Sequence, residues 1–548
     1  MDKTPITLSG SHLLPGHNTS RGVLVVMLIA LPILILFITP LFMLAINLRR
    51  PKFPYFWLLA ASASLLVWPI ILIALVSLPV EIQILHWQPE EFFLISPALL
   101  LDRTSWPFAL ALVTLNLAVV LTAVARDRNP TEGLSPWGNL ATPLLITAVS
   151  LMAVISENVL TLILTWTVLD LLEMFLWLVK IRNNDLSQRI IIAISTRLGG
   201  VVLLIWTAIS AYAARLPLSL VAIPPELGTY LLIAAGLRLG VFPLTLTLPE
   251  ALPERRGVKV ISLLAPQAAN LTLLVRTASV GASSASSPYL FVLTGFAALY
   301  AGLSWIGSTD ELEGSSFWAL GISCLALAAA IQAKPAASLA WGVALLLPGG
   351  LLLLYSSRQR WLLPLLLFAT LSISSLPFTP TWQGVRLYEA PFHWLGLPLI
   401  TAQSLMIAGY LRYALRPANP LVGAERWVRI IYPWGLVLLP IVHWSIAWWS
   451  RPESFPSWLS SWPAVLSTGM VFLILWLGRR GEQAPAMFLK GLRTALTFGW
   501  AYKILESILR PIRSLLAIAN TVLEGNAGIL WALLIVILLL SISIQPGG

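Results

Sequence analysis

Long apolar runs, one after another, are the feature that most constrains the fold of this chain. A run of about 20 apolar residues is what an α-helix needs to cross the hydrocarbon core of a bilayer. Of the 548 residues, 58% are hydrophobic and only 10% are charged, whereas a soluble domain carries about 25% charged residues. The sequence therefore predicts an all-α polytopic membrane protein and leaves no stretch for a separate soluble domain.

The apolar runs predict about 14 to 16 transmembrane helices. A polar stretch at 81–105 separates the second predicted span from the third. The predicted spans are 23–48, 55–80, 106–125, 139–156, 158–179, 190–212, 228–248, 258–278, 289–307, 315–333, 337–356, 361–380, 393–415, 430–449, 463–478 and 527–544. The first of them follows a polar start without the cleavage site of a signal peptide, so we expect it to stay in the membrane.

Alternate loops differ in charge, which predicts the orientation. One side carries Glu81, Glu90, Glu91 and Asp102. The other side carries Arg49, Arg50, Lys52, Arg126, Arg128, Lys180, Arg182, Arg189, Arg255, Arg256, Lys259, Arg358, Arg360, Arg416, Arg426 and Arg429. The positive-inside bias places the second side in the cytoplasm and the N-terminus outside, in a bacterial plasma membrane. Asp310, Glu311 and Glu313 oppose this sign, but acidic residues weigh little in the bias.

The net charge of +11 indicates contact with anionic lipid head groups rather than with nucleic acid, because the basic residues lie in short loops between apolar spans. The single cysteine, Cys324, cannot form an intrachain disulfide or a thiolate metal site, and the five histidines show no metal spacing. No phosphate-binding glycine loop and no Ser/His/Asp set is present. We therefore expect no cofactor, no metal and no catalytic chemistry in this chain.

Arg238 lies in an otherwise apolar helix that Pro243 breaks. A permanent charge at membrane depth is costly, so it faces a protein interior or a water-filled path. A break at that depth is tolerated only where the freed backbone is buried or lines a cavity. The combination is typical of a translocation site. An arginine does not give up its proton, so Arg238 can steer protons or hold an anion but is a poor carrier.

Asp170 and Glu173 share one helix face because they are three residues apart. Two like charges in a medium of low dielectric constant favour proton uptake by one of them, which makes a proton-holding pair plausible. Arg197, in the next span, is a candidate to neutralise one of the two. The alternative is a structural ion pair that joins two helices.

Further polar positions extend this candidate path. Gln267 and Asn270 make the following span polar without adding charge. Pro377 and Pro380 interrupt another span, and Arg386 and Glu389 follow them. Two broken helices in the two halves of a chain indicate inverted repeats.

The segment 490–524 has a different pattern from the spans. It interleaves charged residues with Leu, Ile, Phe and Trp; these charges are Lys490, Arg493, Lys503, Glu506, Arg510 and Arg513. The pattern predicts an amphipathic helix along the membrane surface or along neighbouring helices, kinked at Pro511. The alternative is an ordinary basic cytoplasmic loop.

An ordered series of motifs between roughly Asp102 and Glu389 resembles the antiporter-like membrane subunits shared by respiratory complex I (NADH:quinone oxidoreductase) and Mrp-type sodium/proton antiporters. The motifs are Leu101-Asp102-Arg103-Thr104-Ser105, Glu157-Asn158 before the run to Trp166, Thr196-Arg197-Leu198-Gly199-Gly200, Phe242-Pro243, Leu248-Pro249-Glu250-Ala251, Thr309-Asp310, Ser315-Ser316 with Gly321, and Leu376-Pro377 to Arg386. In that order they resemble the aspartate–serine entry to the family's third helix, the start of its key glutamate helix and the Asn-Arg-Ile-Gly-Asp run of the largest such subunit. The next two resemble the broken seventh helix and its Leu-Pro-Asp-Ala exit. The last three resemble the Thr-Asp and Ser-Ser…Gly runs of the ninth and tenth helices and the broken twelfth helix.

The chain departs from this family at the ionisable positions. Where the family has a glutamate after the tryptophan, this chain has Thr167, and Asp170 and Glu173 follow one and two turns later. The lysine of the seventh helix falls at Arg238, and that of the eighth falls at or near Ala268. The remaining departures are Thr245 at the histidine after the helix break, Leu312 or Glu313 at the lysine beside Asp310, and Val385 or Arg386 at the lysine or glutamate of the twelfth helix. The resemblance in fold is therefore stronger than the resemblance in proton-relay chemistry.

The resemblance implies fourteen core helices with two inverted five-helix repeats, and a shortened lateral helix at 490–524. It divides the chain into N-terminal helices with a polar loop (1–105), a transporter-like core (106–420) and C-terminal helices (421–548). It implies a membrane subunit that works with other membrane subunits of a complex-I-like or Mrp-like assembly and translocates protons, or cations and protons. Asp170 or Glu173 would hold the proton, Arg197 and Arg238 would be charge partners, Arg386 and Glu389 would lie at the exit, and Thr167, Gln267 and Asn270 would line the path.

Two other functions stay open at this point. One is a non-transporting structural subunit in which the ion path has degenerated. The other is an unrelated polytopic transporter or lipid-linked enzyme. This alternative would be favoured if the neighbouring genes encode no partner subunits of complex I or of an Mrp antiporter.

Overall fold

The computed structural model describes residues 19–51, 53–83, 96–125, 137–178, 184–242, 255–356, 360–389, 394–416, 425–450 and 456–480. The predicted amphipathic segment 490–524 and the last predicted span, 527–544, lie outside the described residues. The division of the chain at 105 and 420 remains a prediction.

Fifteen α-helices make up most of the described part of the chain. They are α1 Thr19–Arg49, α2 Phe56–Ile73, α3 Trp106–Thr122, α4 Gly138–Val154, α5 Val159–Leu178, α6 Asn184–Ala213, α7 Pro225–Arg238, α8 Arg256–Thr277, α9 Ser287–Gly307, α10 Ser315–Ile331, α11 Pro335–Leu354, α12 Leu363–Ser372, α13 Leu397–Ala414, α14 Arg426–Trp449 and α15 Trp462–Arg480. Short 3₁₀ helices lie at Ala74–Ser77, Arg360–Leu362, Trp382–Tyr388, Trp394–Gly396 and Leu459–Ser461.

Nine of the described helices are long and apolar enough to cross a membrane. Four more, α3, α4, α10 and α12, are apolar but shorter. The first three of these have 17 residues each, which at about 1.5 Å per residue gives ~26 Å, close to the thickness of the hydrocarbon core. The protein is therefore the all-α polytopic membrane protein that the apolar runs predict.

The helices fall into a buried centre and a lipid-facing rim. The helices α3, α8, α10 and α11 are buried on nearly all sides. This is expected for α3, α10 and α11, which are apolar all round, whereas α8 also buries polar side chains such as Gln267 and Asn270. The helices α1, α2, α5 and α6 keep large apolar side chains exposed, such as Leu41, Leu65, Phe175 and Val202. In a membrane such faces meet lipid or another subunit.

The two broken helices occupy matching places in the packing. Helix α4 packs against α8, and α9 packs against α13, so the same pairing recurs five helices further along. Because successive helices alternate in direction, a shift of five reverses direction. The helices α7 and α12 are the fourth members of these two five-helix groups. This arrangement is the one expected of inverted repeats.

The predicted span 361–380 is wrong as a single helix. Helix α12 ends at Ser372, and the chain continues through left-handed conformations at Ser375 (φ 58°) and Phe378 (φ 67°) before the 3₁₀ helix Trp382–Tyr388. Pro377 and Pro380 have no N–H to donate, and each disfavours a helical conformation in the residue before it. Mean hydropathy does not report on these backbone effects.

The predicted span 228–248 also differs from the structure. Helix α7 starts earlier, at Pro225, and ends at Arg238. Gly240 then adopts a φ of 75°, which is favourable only without a Cβ atom. The break therefore begins before Pro243, which lies outside the described residues, as do Thr245 and the Leu-Pro-Glu-Ala motif after it.

The polar stretch after α2 contains a small β-structure that the sequence reading did not predict. Strand β1 (Val80–Gln83) pairs antiparallel with β2 (Ala98–Leu101), with Val80 opposite Leu101. Isolated bridges join Leu99 to Ser156 and Asn158 to Ser219. The predicted span 55–80 is therefore slightly too long, since α2 ends at Ile73, a 3₁₀ helix continues it to Ser77, and β1 begins at Val80. We call this face of the molecule the strand side, and the opposite face, with Arg256 and Arg416, the basic side.

Candidate functional site

Two acidic and two basic side chains lie together inside the protein, and we call them the quartet: Asp170, Glu173, Arg197 and Arg238. Asp170 and Glu173 are on α5, Arg197 is on α6 and Arg238 ends α7. Their exposed fractions are only 5%, 1%, 5% and 2%. Asp170 lies eleven residues after the start of α5, roughly 17 Å along the axis, which is near the middle of a bilayer.

Arg238 and Asp170 form a bidentate ion pair. Nη1 of Arg238 donates to Oδ2 of Asp170 at 2.6 Å, and Nη2 donates to Oδ1 at 2.8 Å. The guanidinium also lies over the indole of Trp166, 4.3 Å from the ring centroid. The planar fork of arginine matches the two carboxylate oxygens, so the pair is fixed in orientation as well as in distance.

Arg197 and Glu173 form the second pair. Nη1 of Arg197 donates to Oε2 of Glu173 and lies 3.9 Å from Oδ1 of Asp170. The guanidinium of Arg197 is 5.1 Å from the ring centroid of Trp177. Oε1 of Glu173 is buried and has no hydrogen-bond partner among the described residues. The two carboxylates therefore differ, because both oxygens of Asp170 are bound and only one oxygen of Glu173 is.

Uncharged polar side chains continue the site onto α8. Nε of Arg238 donates to Oδ1 of Asn270 at 3.4 Å, and Nδ2 of Asn270 donates to Oε1 of Gln267 at 3.2 Å. Both amide side chains are almost fully buried, at 2% and 1% exposed. Nη1 of Arg238 also reaches the carbonyl of Arg197 at 3.4 Å. The end of the broken helix α7 is therefore tied to α5, α6 and α8.

A glycine on α6 allows Arg238 to reach the carboxylates. A Cβ atom on Gly200 would lie 2.7 Å from Cγ of Arg238 and 3.0 Å from the carbonyl oxygen of Ala234. Contacts this short do not occur without movement of the neighbour. The neighbouring Gly199 has nothing within 4 Å of its Cβ position. Packing thus requires a glycine at position 200 and does not require one at position 199.

The quartet is balanced in charge. Two carboxylates and two guanidinium groups sum to zero when all four are ionised. Ionised groups in a low-dielectric interior are tolerated when they are paired and hydrogen-bonded, and removal of one partner is strongly destabilising. The arrangement can hold α5, α6 and α7 together, and it can also accept one proton at the unbonded oxygen of Glu173.

Three other predicted site residues lie apart from these contacts. The hydroxyl of Thr167 donates to the carbonyl of Ile163 on its own helix, at 2.7 Å. Arg386 is half-buried on the 3₁₀ helix Trp382–Tyr388, beyond the break of α12. Glu389 is exposed and pairs with Lys334 at 3.8 Å. Arg386 and Glu389 therefore belong to the second broken helix and not to the quartet.

A third buried arginine, on the strand side, was missed by the sequence reading. Arg276 is 6% exposed near the end of α8. Its Nη1 donates to the carbonyl of Ser156, and its Nη2 is 3.6 Å from Oδ2 of Asp102. The sequence does show a single arginine near the end of a predicted span, on the side of the membrane whose loops carry few basic residues.

An acidic cluster on the basic side explains the sign violation noted in the sequence. Glu311 is 1% exposed and lies 3.1 Å from Arg256 and 3.6 Å from Arg416. Asp310 lies 3.3 Å from the same Nη1 atom of Arg416. The loop between α9 and α10 thus neutralises arginines from the start of α8 and the end of α13.

Comparison with known proteins finds similarity in structure only. No protein-family model matches the sequence, and no curated protein matches it. A chain of the Mrp complex from Dietzia sp. DQ12-45-1b matches 96% of this chain with a TM-score of 0.69 and 16% identity. This chain spans 63% of the length of that Mrp chain.

Two further solved structures share the fold. A chain of the membrane-bound sulfane sulfur reductase, an archaeal respiratory membrane complex, matches 94% of this chain over its own full length (100%), with a TM-score of 0.64 and 14% identity. A chain of respiratory complex I from Thermus thermophilus, determined with bound aureothin, matches 75% of this chain and 97% of its own length, with a TM-score of 0.56 and 15% identity. The resemblance to antiporter-like membrane subunits is thereby confirmed at the level of the fold.

Proposed function

We propose that this chain is a membrane subunit of a multi-subunit assembly of the Mrp or complex I kind, and that it translocates protons through the quartet. Its partners in this proposal are other membrane subunits and the surrounding lipid. The support for an assembly is that the three similar structures described above come from multi-subunit membrane complexes. The support for translocation comes from the residues themselves.

One observation carries the proton-transfer part of the proposal. Glu173 is 1% exposed, one of its oxygens is bound by Arg197, and Oε1 has no hydrogen-bond partner among the described residues. A buried carboxylate oxygen without a partner is costly unless it binds a proton or a water molecule. Glu173 is thus the member of the quartet at which a proton binds and leaves.

The two arginines supply fixed charge in this mechanism. Neither releases its proton, so neither carries one. Uptake of a proton at Oε1 of Glu173 changes the quartet from neutral to a net charge of +1. Oε2 of Glu173 still accepts the hydrogen bond from Arg197, but the nearest negative charge to Arg197 is then that of Asp170, at 3.9 Å. The resulting excess of positive charge favours release of the proton in the next step.

The proposal is tested by proton flux in vesicles that contain the full chain, together with its partners where they co-purify. We expect Glu173→Gln to reduce the flux by about tenfold or more, as loss of an acid–base group does. Glu226→Gln is the matched control, because Glu226 is an exposed carboxylate in the first turn of α7. Equal flux in the parent and in Glu173→Gln would contradict the assignment.

A non-transporting structural subunit is the second candidate, and charge balance favours it. The family's lysine positions fall here at Arg238, which is locked in an ion pair, and at or near Ala268, which is 0% exposed. On this account the quartet only joins α5, α6 and α7. The parent chain would then show no flux, and Glu173→Gln would lower stability alone.

A further inference from the structure

His443 is a buried titratable side chain that the quartet mechanism does not use. It lies on α14 and is 1% exposed. Its Nδ1 is 3.2 Å from Oγ of Ser372, the last residue of α12 before the break. The histidine therefore faces the second broken helix, as the quartet faces the first.

The hydrogen bonds around Ser372 assign the tautomer of the ring. The Ser372 hydroxyl donates its single proton to the carbonyl of Ala369 at 2.7 Å. Its oxygen is then an acceptor toward the ring, so Nδ1 of His443 carries a hydrogen and donates it. In a neutral imidazole the other nitrogen, Nε2, then carries the lone pair. The ring can bind a proton at Nε2 and release one from Nδ1 toward Ser372.

In the described helices that pack against α14, no charged residue fixes the ring in one protonation state. Helix α14 packs against α3, α11 and α12. None of these three helices contains an acidic or basic residue, and the only charges on α14 itself are Arg426 and Arg429 in its first turn. His443 therefore differs from the quartet, in which each arginine is held by a carboxylate.

A file of buried polar groups leads from Ser372 through the break. The hydroxyl of Thr381 donates to the carbonyl of Ser372 at 2.8 Å, and the N–H of Ser375 donates to that hydroxyl at 3.0 Å. Nε2 of Gln403 donates to Oγ of Ser375 at 3.4 Å, and the hydroxyl of Tyr388 donates to Oε1 of Gln403 at 3.0 Å. Ser372, Ser375 and Thr381 are 0% exposed and Gln403 is 1% exposed. We call these five residues the polar file.

The far end of the polar file, Tyr388, is followed in the chain by an exposed residue. Tyr388 is half-buried, and the next residue, Glu389, is exposed and pairs with Lys334 at 3.8 Å. Lys334 lies between α10 and α11, on the strand side. The file therefore runs from the interior at His443 to the strand side of the molecule.

We infer that His443 is a proton-exchanging group of the second half of the chain, and that the polar file joins it to the strand side. One proton binds at Nε2 and one leaves Nδ1 for water beside Ser372, which leaves a neutral ring with its hydrogen on Nε2. Release from Nε2 with uptake at Nδ1, or rotation of the ring, restores the starting tautomer. The Ser372 carbonyl, the Ser375 N–H and the Gln403 amide do not pass protons on, so the route requires water molecules between the hydroxyls. This inference adds a proton-exchanging site in the second half of the chain to the proposed translocation, and its role in transport rests on that proposed function.

Hydrogen exchange at the ring tests this inference in the full chain. The protein is labelled with ¹³C and ¹⁵N at histidine, placed in lipid bilayers and transferred to D₂O, and solid-state NMR follows the ring N–H signals. His443→Gln identifies the signal of this ring. We expect the Nδ1–H to exchange within minutes, whereas a histidine sealed in the core exchanges only with unfolding.

The route is tested by a matched pair of neighbours on α13. Gln403→Met keeps the size of the side chain and removes its polar head, and we expect it to slow the exchange by about tenfold. Ser404→Ala is the control, because Ser404 bonds to Ile400 and Ser467 and not to the file. Should Gln403→Met fail to fold, Tyr388→Phe removes a single hydroxyl at the mouth of the file.

Two results would overturn the inference. The first is an Nδ1–H signal that survives a day in D₂O while the protein stays folded. The second is equal exchange in Gln403→Met and Ser404→Ala. Neither result depends on measured flux, so rapid exchange at His443 with no effect of Glu173→Gln on flux would reject the proposed function and retain this site.

Discussion

Arg238 binds Asp170 through two parallel hydrogen bonds, 2.6 and 2.8 Å long, between the end of a broken helix and the middle of α5. A lysine at this position would supply a single point charge on a flexible stem, without the planar fork that meets both carboxylate oxygens. This pair explains how the chain keeps the fold of antiporter-like subunits with an arginine where the resemblance leads one to expect a lysine. A lysine at this position could release its proton, whereas the arginine forms a fixed ion pair.

Replacement of Arg238 in this ion pair by a lysine should lower the stability of the fold. We expect Arg238→Lys to lower the free energy of unfolding by about 2–4 kcal/mol, because one of two buried hydrogen bonds is lost and Asp170 is left partly unpaired. Unfolding by a denaturing detergent in mixed micelles measures this. The control is Arg215→Lys at an exposed position after α6, and equal losses at the two positions would contradict the prediction.

The coupling within the pair is open to a double-mutant cycle. Asp170→Asn leaves the Arg238 guanidinium without its carboxylate, and we expect a loss of about 3–5 kcal/mol. Adding Arg238→Gln should restore part of that loss, because the uncompensated charge is removed. Strictly additive losses in the double variant would show that the two side chains are not coupled.

The glycine pair on α6 provides a test of packing with an internal control. We expect Gly200→Ala to destabilise the protein by about 1–3 kcal/mol, since the new Cβ atom meets the Arg238 side chain and the Ala234 carbonyl. Gly199→Ala should be neutral or stabilising by up to about 1 kcal/mol, because alanine favours helices and nothing lies near this position. The same unfolding assay compares the two, and the prediction fails if Gly199→Ala is the more harmful change.

Asp310, outside the membrane-spanning helices, should make stability depend on pH. Partial burial raises the pKa of Asp310 from 3.8 to about 6, helped by its hydrogen bond to Glu311 and by the negative charge of Glu311, while Arg256 opposes the shift. Arg416 also faces this carboxyl, at 3.3 Å. A raised pKa means that the folded state favours the protonated acid. The stability contributed by Asp310 is therefore full below pH 3.8 and lost as the pH rises through about 6.

The measurement is the midpoint of thermal unfolding between pH 4 and pH 7. We expect the parent to lose stability relative to Asp310→Asn as the pH rises across this window, because asparagine does not ionise. Glu425→Gln, at an exposed position before α14, should follow the parent at every pH. A constant offset between the parent and Asp310→Asn across the window would refute the assignment of the raised pKa.

Much of the architecture could be predicted from hydropathy alone. The cost of charge in lipid also predicts, from the sequence alone, that Asp170, Glu173, Arg197 and Arg238 lie in the interior. The ends of the broken helices were harder to predict from the sequence. Helix α12 stops eight residues before the predicted end of its span, at Ser372 rather than 380. Prolines and left-handed residues act on the backbone, and an apolar run does not reveal where the backbone stops being helical.

The sequence by itself determined that this protein is a bundle of membrane helices with four ionisable groups that must avoid lipid. Only the tertiary structure decided which carboxylate each arginine binds. Arg238 binds Asp170, 68 residues away, and Arg197 binds Glu173. It also decided that His443 faces the break of α12 and that β-strands follow α2. The physical reason is that charge and hydropathy are properties of single residues, whereas pairing depends on how closely helices approach, which a position such as Gly200 controls only after the helices have packed.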